Sequence, residues 1–249
     1  MRVAALYDIH GNLWALEPVL REATHSDIDA IVIGGDIAWG PHPRETIDRL
    51  LELERPVIFI RGNADREVSK RLDENAGLDR VVAQINLWCS DQLSEQQRLW
   101  LGSQPPTATL DVDCLGETLF CHGSPRSDEE IITTATADER FVEVLRAAHE
   151  EIVVCGHTHI QFDRTVQDRR LINAGSVGLP YEGKPGAYWA LLGPGVTFRR
   201  TAYDIAEAAE GMLNSGCPHV EEVFIDPLRH PPDRDDATRH FESMTAKSV

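Results

Sequence analysis

The stretch VAALYDIHGN, residues 3–12, decides how the N-terminal third is interpreted, because a continuous apolar run ends abruptly in polar side chains and a glycine. Val3 to Tyr7 has the unbroken apolar character of a buried β-strand. The alternation then continues with a helix, a strand, a helix and a third strand at Leu13 to Ala23, Ala30 to Ile33, Arg44 to Leu53 and Val57 to Ile60. This β-α-β-α-β order predicts parallel strands joined by right-handed crossovers.

The rest of the chain predicts helices first and short strands afterwards. Asp65 to Gln104 has helical patterning with a break near Gln92-Leu93, where Ser94 and Gln97 form the sequence of a capping box. Further strands are predicted at Ala108–Val112, Thr118–Cys121, Ile152–Cys155, Gln161–Val166, Arg170–Ile172, Tyr188–Leu192 and Val196–Thr201, and further helices at Asp138 to His149 and Ile205 to Leu213. These elements predict an α/β fold: a four-layer α-β-β-α sandwich of two facing mixed sheets with flanking helices.

The C-terminal residues differ in composition from the rest of the chain. Residues 227–249 contain Pro227, Pro231 and Pro232, a mixed cluster of charges and few apolar side chains. We predict one domain over residues 1–226, followed by an extended tail with at most a short helix at Asp236 to Met244. The tail lies outside the block of polar motifs described below, so we expect it to take no part in the functional site.

The acidic composition limits the possible partners. The chain has 24 Lys and Arg against 41 Asp and Glu, a formal net charge of −17. Such a surface repels a polyphosphate backbone, so extended nucleic-acid binding is not expected. Carboxylates that hold divalent cations are neutralised locally, so an acidic chain can still bind a small phosphate ester. No run of eighteen apolar residues exists, and no membrane span is predicted.

The cysteines and the N-terminus indicate the compartment. The five cysteines are widely spaced, with no CxxC pair, as expected for free thiols in a reducing environment. The first residues lack the basic, apolar and small-residue regions of a signal peptide. We therefore expect a cytoplasmic protein.

Five short polar motifs interrupt the apolar pattern, and four of them directly follow predicted strands. They are Asp8-Ile9-His10, Gly35-Asp36, Gly62-Asn63, His122-Gly123 and Gly156-His157-Thr158-His159. In α/β sheets, ligands bind outside the carboxyl ends of the strands. The positions of the five motifs therefore predict one shared site.

The side chains in these motifs are of the kinds that bind metals. Two Asp, one Asn and four His make an oxygen and nitrogen ligand set suited to borderline divalent ions. Alternate residues of an extended segment lie on the same side, so Asp8 and His10 are predicted to point into one cavity, as are His157 and His159. Seven ligands with one shared carboxylate give two sites of four, with open positions for water and substrate.

Each motif taken alone also has a structural interpretation. Asp8 is compatible with a helix cap and His10 with a hydrogen-bonded turn residue. Gly35-Asp36 is compatible with a turn, Asn63 with a left-handed or capping residue, and His122 with a hydrogen-bonded core histidine. The Gly-His-Thr-His motif is more specific, because two histidines around one residue after a buried strand have few structural reasons. The five motifs together, in this order, favour the functional interpretation.

The ordered motifs resemble those of the calcineurin-like metallophosphoesterase superfamily, whose pattern runs D-x-H, GD, GN-x-[DE], H and GH-x-H. The chain is most similar to the small bacterial and archaeal phosphodiesterase-like branch of that family. The segments that support this branch are Asp8-Ile9-His10-Gly11-Asn12, Gly62-Asn63-Ala64-Asp65, Cys121-His122-Gly123-Ser124-Pro125 and Asn173-Ala174-Gly175-Ser176-Val177-Gly178. The resemblance extends to about Asp204 and covers none of the tail.

The resemblance implies a ligand set for two metal ions. The first ion is held by Asp8, His10, Asp36 and His159, and the second by Asp36, Asn63, His122 and His157, with Asp36 as the bridge. Among these residues, Asp36, Asn63 and His122 are predicted to be catalytic. The cofactors are two divalent metal ions, with Mn²⁺ favoured and Fe, Ni or Zn also compatible with the ligands.

The chain departs from the family's serine/threonine phosphatases at two places. Those enzymes carry GDxVDRG and GNHE, whereas this sequence has Gly35-Asp36-Ile37-Ala38-Trp39-Gly40 without the arginine, and Ala64 in place of the histidine. The departures weaken an assignment as protein phosphatase or diadenosine-tetraphosphatase. The missing histidine is often a general acid in relatives, so the reaction must proceed without it.

The predicted reaction is hydrolysis of a phosphodiester. A water molecule that bridges two dications ionises near neutral pH and attacks phosphorus in line, while the protein provides placement and charge stabilisation. Two alternatives stay open at this point. One is a phosphomonoesterase with the same metal core, and the other is a catalytically silent binding scaffold. Loss of a ligand would distinguish the scaffold, and all seven ligands are present.

Residues around the motifs are candidates for contacts with substrate. Asn12 is predicted to donate a hydrogen bond to a phosphate oxygen, or alternatively to cap the next helix. Trp39 and His42 lie on the loop after Asp36 and are predicted to contact substrate, although a solvated loop position is the commoner role for such a histidine. Asp65 is predicted to orient a metal-binding histidine, or to be a helix-start carboxylate. Arg61 faces either the site or the exterior.

Overall fold

Two five-stranded sheets form the centre of the structure, a computed structural model that describes residues 1–245. The strands are β1 (Val3–Leu6), β2 (Ala30–Ile33), β3 (Val57–Phe59), β4 (Thr107–Val112), β5 (Gly116–Cys121), β6 (Ile152–Cys155), β7 (Phe162–Val166), β8 (Arg169–Asn173), β9 (Ala187–Leu192) and β10 (Val196–Thr201). The helices are α1 (Leu13–Thr24), α2 (Pro43–Leu51), α3 (Asn63–Lys70), α4 (Arg80–Gln92), α5 (Glu95–Ser103), α6 (Asp138–Leu145), α7 (Ile205–Leu213), α8 (Asp226–Arg229) and α9 (Arg234–Thr245). Among these helices, none has both the length and the apolar composition that crossing a bilayer requires.

The first sheet contains the three strands of the N-terminal third. Its order is β10-β9-β1-β2-β3. Strands β1, β2 and β3 are parallel, with Val3 opposite Ala30 and Ile31 opposite Val57, while β9 and β10 run antiparallel. The predicted parallel core is therefore confirmed, and the carboxyl ends of β1, β2 and β3 lie at one edge.

The second sheet is also mixed, with the order β4-β5-β6-β8-β7. Strands β5, β6 and β8 are parallel, and β4 and β7 are antiparallel edge strands. The Tyr7 hydroxyl, just after β1, donates a 3.1 Å hydrogen bond to the carbonyl of Val154 in β6. This bond joins the ends of the two sheets close to the polar motifs.

Three separate apolar clusters show that the molecule has four layers. Ala4 and Leu6 of β1 pack in a cluster with the helices of one outer layer, and Val3 and Ala5 pack in a second cluster between the sheets. This alternation follows from the two-residue period of a strand. The third cluster covers the outer face of the second sheet with side chains of α6 such as Phe141. The four-layer sandwich predicted from the sequence is confirmed.

The C-terminal segment is helical over more of its length than predicted. The predicted short helix at Asp236 to Met244 is confirmed and is part of the longer α9, Arg234–Thr245, while residues 246–249 of the predicted tail lie outside the described range. Arg234 forms an ion pair with Glu182 at 3.3 Å, and Glu242 accepts hydrogen bonds from the hydroxyls of Thr133 and Thr136. Polar contacts hold this helix, and apolar periodicity does not reveal contacts of that kind.

The boundary placed at residues 226 and 227 falls inside α8. Leu228 of that helix is 1% exposed and belongs to the first apolar cluster. The first three residues of the predicted tail therefore lie in an element that packs into the domain.

Candidate metal centre

The seven predicted ligands lie on five loops at the carboxyl ends of strands. These loops follow β1, β2, β3, β5 and β6, and Asn63 is the first residue of α3. Five of the side chains are at most 6% exposed, namely Asp8, His10, Asp36, His122 and His159, and the other two are partly buried. The fold thus gathers residues far apart in sequence into one shielded cluster.

Two overlapping groups within the cluster have the spacing of metal ligands. Asp8, His10 and His159 form one group, and Asp8, Asp36 and His122 form the other, with the ligand atoms of each group all within 4.8 Å of one another. The Nε2 atoms of His10 and His159 are 3.1 Å apart. Asp8 belongs to both groups: its Oδ1 lies 3.5 Å from His159 Nε2 in one and 3.8 Å from His122 Nε2 in the other.

The Asp36 carboxylate has the position expected of a shared ligand. Its Oδ2 lies 3.3 Å from His122 Nε2 and 4.0 Å from His10 Nε2, so one oxygen stands between a histidine of each predicted site. Its Oδ1 accepts a 2.9 Å hydrogen bond from the backbone N–H of Ala64. One oxygen therefore fixes the carboxylate while the other remains directed into the cluster.

Backbone carbonyls fix the orientation of the four imidazole rings. Three rings have Nδ1 next to a carbonyl oxygen: His10 with Trp39 at 3.1 Å, His122 with Gly34 at 2.9 Å and His159 with Leu179 at 2.6 Å. A carbonyl only accepts, so Nδ1 carries the proton and Nε2 is left as the ligand atom. His157 is reversed, because its Nε2 lies 3.2 Å from the Glu129 carbonyl and its Nδ1 is left to bind a metal.

Three buried polar atoms of the cluster have no hydrogen-bond partner among residues 1–245. They are Asp8 Oδ1, Asn63 Oδ1 and His122 Nε2. An unpartnered buried polar atom costs about 1–3 kcal/mol, so proteins rarely leave several together. All three are of the type that binds divalent cations. The residues therefore fit metal ions.

The charges of the cluster favour the ligand forms of His10, His157 and Asp36, but they favour the protonated form of His122. Burial lowers the pKa of both His10 and His157 to about 4, so both rings are neutral near pH 7. Burial acts against the anion of Asp36, but the adjacent His122 keeps the pKa of Asp36 well below its ordinary value. Burial also acts to lower the pKa of His122, but Asp36 and Asp8 outweigh it and raise that pKa to about 10. A metal ion held by His122 would therefore have to displace a proton.

The backbone at the ligands is left-handed, not extended as predicted. The φ angles are 53° at Asp8, 50° at His10, 53° at Asp36, 67° at His157 and 58° at His159. Ligand pairs therefore converge by tight turns rather than by alternation along a strand. Such conformations cost free energy in non-glycine residues and persist where surrounding contacts hold them.

The Asp65 carboxylate supports two ligand loops at once. Its Oδ1 accepts hydrogen bonds from the backbone N–H groups of Ile37 and Ala38, and its Oδ2 accepts one from Gly62. Burial, reinforced by the charge of Asp36, raises the pKa of Asp65 to about 7. The predicted role of orienting a histidine is therefore wrong, because the described partners are backbone groups beside Asp36 and Asn63.

Residues 173–181 complete the centre, although the sequence motifs assign them no role there. The Ser176 hydroxyl donates a 2.8 Å hydrogen bond to the Asp8 carbonyl, and Asn173 donates one of 2.6 Å to Gly156. The Tyr181 ring stacks on His159, with centroids 4.8 Å apart and planes inclined by 28°. The Asn-Ala-Gly-Ser run that starts at the last residue of β8 is the sequence feature that could have indicated the first two contacts. No neighbouring motif indicates that Tyr181 lies at the centre.

The three predicted substrate contacts occupy different positions. Asn12 is 1% exposed and caps α1: its Oδ1 accepts from Ala15, and its Nδ2 donates to Gly178. These contacts correspond to the capping role rather than to the phosphate contact. Trp39 borders the cluster, with its ring 5.5 Å from that of His10. His42 is partly buried, with its ring 5.0 Å from that of Trp14, so it is not a solvated loop residue. None of the contacts described places it next to a predicted metal-binding residue.

Comparison with known proteins identifies the family. The profile of the calcineurin-like phosphoesterase superfamily domain matches residues 1–192. The chain belongs to this superfamily. Its metal-type cluster lies wholly within the matched residues.

Relatives from bacteria and archaea agree with this assignment. A metallophosphoesterase from Sphaerobacter thermophilus superposes with a TM-score of 0.74 at 30% identity, over 93% of this chain and 99% of that one. The hypothetical protein PH1004 from Pyrococcus horikoshii shares the fold, with a TM-score of 0.81, 23% identity and coverage of 93% and 99%. The phosphodiesterase YfcE of Escherichia coli is 28% identical over 200 residues, 77% of this chain and 87% of the relative.

Proposed function

We propose that this phosphoesterase-family protein is a dinuclear metal-dependent phosphodiesterase. The observation that carries the proposal is the set of three unpartnered buried atoms, Asp8 Oδ1, Asn63 Oδ1 and His122 Nε2, together with two groups of ligand-type side chains that have metal-binding spacing. The similarity to phosphodiesterase YfcE supports the diester over the monoester. When bound, two divalent ions would supply Lewis acidity toward phosphoryl oxygens and generate the hydroxide nucleophile from water near neutral pH.

The chain's own residues would hold and orient the ions. Asp8, His10 and His159 would hold the first ion, and Asn63, His122 and His157 the second, with Asp36 shared between them. The Ala64 N–H bond to Asp36 Oδ1 and the carbonyl partners of the imidazoles restrict the rotation of these ligands. Ligands fixed before the reaction need little reorganisation, which is the source of much electrostatic catalysis.

The environment of the leaving group limits the substrate. Ala64, at the position of the general-acid histidine of relatives, is 5% exposed and has no proton to donate. His42, the other candidate acid, packs against Trp14. We therefore expect small phosphodiesters whose leaving groups are acidic enough to depart without a proton donor.

Metal identity, partners and location belong to the same proposal. Mn²⁺ is favoured, and Fe, Ni and Zn suit the same oxygen and nitrogen ligands. The partner is a small phosphate ester rather than an extended nucleic acid, because a net charge of −17 repels a polyanion. The five cysteines are free thiols, which supports a reducing, cytoplasmic environment.

A reconstitution experiment tests this function. The protein is stripped with a chelator, loaded with Mn²⁺, and assayed with bis(4-nitrophenyl) phosphate and 4-nitrophenyl phosphate. We expect two metal ions per chain and a higher kcat/KM for the diester. A higher kcat/KM for the monoester would assign a phosphomonoesterase instead. Two bound ions without turnover of either ester would assign a binding scaffold.

A further inference from the structure

A cavity of about 330 Å³ adjoins the metal centre and shares His122 with it. Its volume is in the range of pockets that bind small molecules. Three arginines line it: Arg61 at the end of the first sheet, Arg66 of α3 and Arg126 of the loop after β5. Asp128 is the one carboxylate among the lining residues. A protein with a net charge of −17 thus places three cations around one cavity at its candidate active site.

The three arginines differ in how far carboxylates neutralise them. Arg66 donates to both oxygens of Asp128 and also pairs with Glu129. Arg126 pairs with Glu130 at 2.7 Å and with Glu143 at 3.1 Å. Arg61 differs from both: within residues 1–245 no carboxylate forms an ion pair with it, and its side chain donates only to a backbone carbonyl. The positive charge of the cavity that remains available is therefore that of Arg61.

The guanidinium of Arg61 is fixed in place while part of its hydrogen-bonding capacity remains free. Its Nη1 donates a 2.9 Å hydrogen bond to the Gly102 carbonyl, and its own backbone N–H donates to Pro105 at 2.9 Å. Its Nε is buried without a hydrogen-bond partner, and its Nη2 is neither buried in this way nor used in a hydrogen bond in the described part of the chain. A planar guanidinium with a free Nη2 group and no paired carboxylate is suited to bind a phosphate group.

We propose that this cavity binds a second anionic group of the substrate and that Arg61 is its principal contact. The substrate class is then a phosphodiester whose esterified organic group carries its own phosphate, a few bonds away from the diester. The reacting phosphate would lie at the metal centre, and the second phosphate would extend past His122 to Arg61. This inference rests on the proposed phosphodiesterase function and specifies its substrate.

Two matched substrates test the specificity. One is phenyl 4-nitrophenyl phosphate, and the other carries a phosphonate on the phenyl ring, which mimics a phosphate but cannot be hydrolysed. We expect the Mn²⁺-loaded protein to have a higher kcat/KM for the phosphonate diester. Arg61→Gln should lower the ratio of the two kcat/KM values by about tenfold or more, because a charge-assisted contact is lost. Arg61→Lys keeps the charge and should retain part of the ratio.

The control variant is Arg21→Gln, which makes the same change of charge on the exposed side of α1, beside a different cavity. It should keep the ratio of the unmodified protein. Equal ratios for the unmodified protein and Arg61→Gln would overturn the proposal.

A binding measurement separates this inference from the proposed function. Calorimetry with phenylphosphonate on chelator-treated protein reports the cavity without the metals. We expect the Kd to rise about tenfold in Arg61→Gln and to stay unchanged in Arg21→Gln. That pattern without turnover of either diester would reject the phosphodiesterase function while supporting the anion site. The same Kd in all three proteins would reject the anion site.

Discussion

Replacing Gly62 by alanine should disable the metal centre through a single methyl group. Gly62 precedes the predicted metal ligand Asn63 and packs against the predicted metal ligand Asp36. A Cβ atom built on Gly62 lies 2.1 Å from Asp36 Oδ1 and 2.5 Å from the Asp36 backbone nitrogen. The φ angle of Gly62 is −85°, which alanine adopts without strain. The effect of the substitution is therefore steric and acts directly on the carboxylate predicted to bridge the metals.

The size of the effect follows from these distances. Real Cβ atoms keep at least 3.0 Å from such neighbours, so Asp36 or the Gly62 backbone must move by about 0.9 Å. Overpacking of this kind costs about 1–3 kcal/mol of folding free energy. A misplacement of about 1 Å in a catalytic constellation lowers the rate by about 100-fold. We therefore expect Gly62→Ala to fold, with kcat reduced by about 100-fold.

The assay compares kcat for bis(4-nitrophenyl) phosphate, metal content and urea unfolding in two variants. Gly195→Ala is the control, because a Cβ at Gly195 meets no atom within 4 Å and its φ is not left-handed. It should match the unmodified protein in all three measurements. If Gly62→Ala kept full kcat with two bound ions, the reasoning that Asp36 must hold its present position would be refuted.

Three further predictions concern the ligand set, the leaving group and the C-terminal helix. Asp36→Asn keeps the oxygen that accepts from Ala64 but loses the charge, so we expect no turnover and an unchanged circular dichroism spectrum. In the unmodified protein, log kcat/KM should fall steeply as the leaving-group pKa rises. The slope should become shallower in Ala64→His and stay steep in His42→Ala. A shallow slope in the unmodified protein would show that another acid is present. Truncation after His230 should leave kcat within a few-fold, because α9 approaches the predicted ligand His159 only indirectly, through Tyr181 and through the bond from Arg234 to the Gln161 carbonyl; a larger loss with the fold preserved would show that α9 positions this histidine.

The sequence predicts the elements best where apolar runs are bounded by turn residues. β6, β10 and α7 begin and end at the predicted residues. The capping box of Ser94 and Gln97 also forms as predicted. α6 stops at Leu145 rather than at His149, because Ala147 and Ala148 form short turn bonds to residues three positions earlier. Apolar periodicity alone cannot distinguish such a turn from one more turn of helix.

The site is predicted less completely than the fold, because its geometry depends on distant contacts. Residue types and strand ends identify a cluster of metal-type ligands, and the structure brings five of them into two groups with metal-binding spacing, namely Asp8, His10, Asp36, His122 and His159. The sequence does not show that Asp65 binds backbone N–H groups of two loops, nor that Tyr181 stacks on His159. Contacts of this kind arise only when separate elements meet.

The left-handed backbone at five of the ligands determines how mutational data on this centre must be interpreted. Alanine at Asp8, His10, Asp36, His157 or His159 removes a ligand and also introduces a side chain that tolerates positive φ poorly, at about 1–2 kcal/mol. A fall in stability after such a substitution therefore measures backbone conformation as well as metal affinity. Glycine adopts this conformation freely and has no side-chain atom that can bind a metal. A scan with glycine therefore separates loss of the ligand from loss of the turn, whereas asparagine keeps both the turn and an oxygen that can bind a metal.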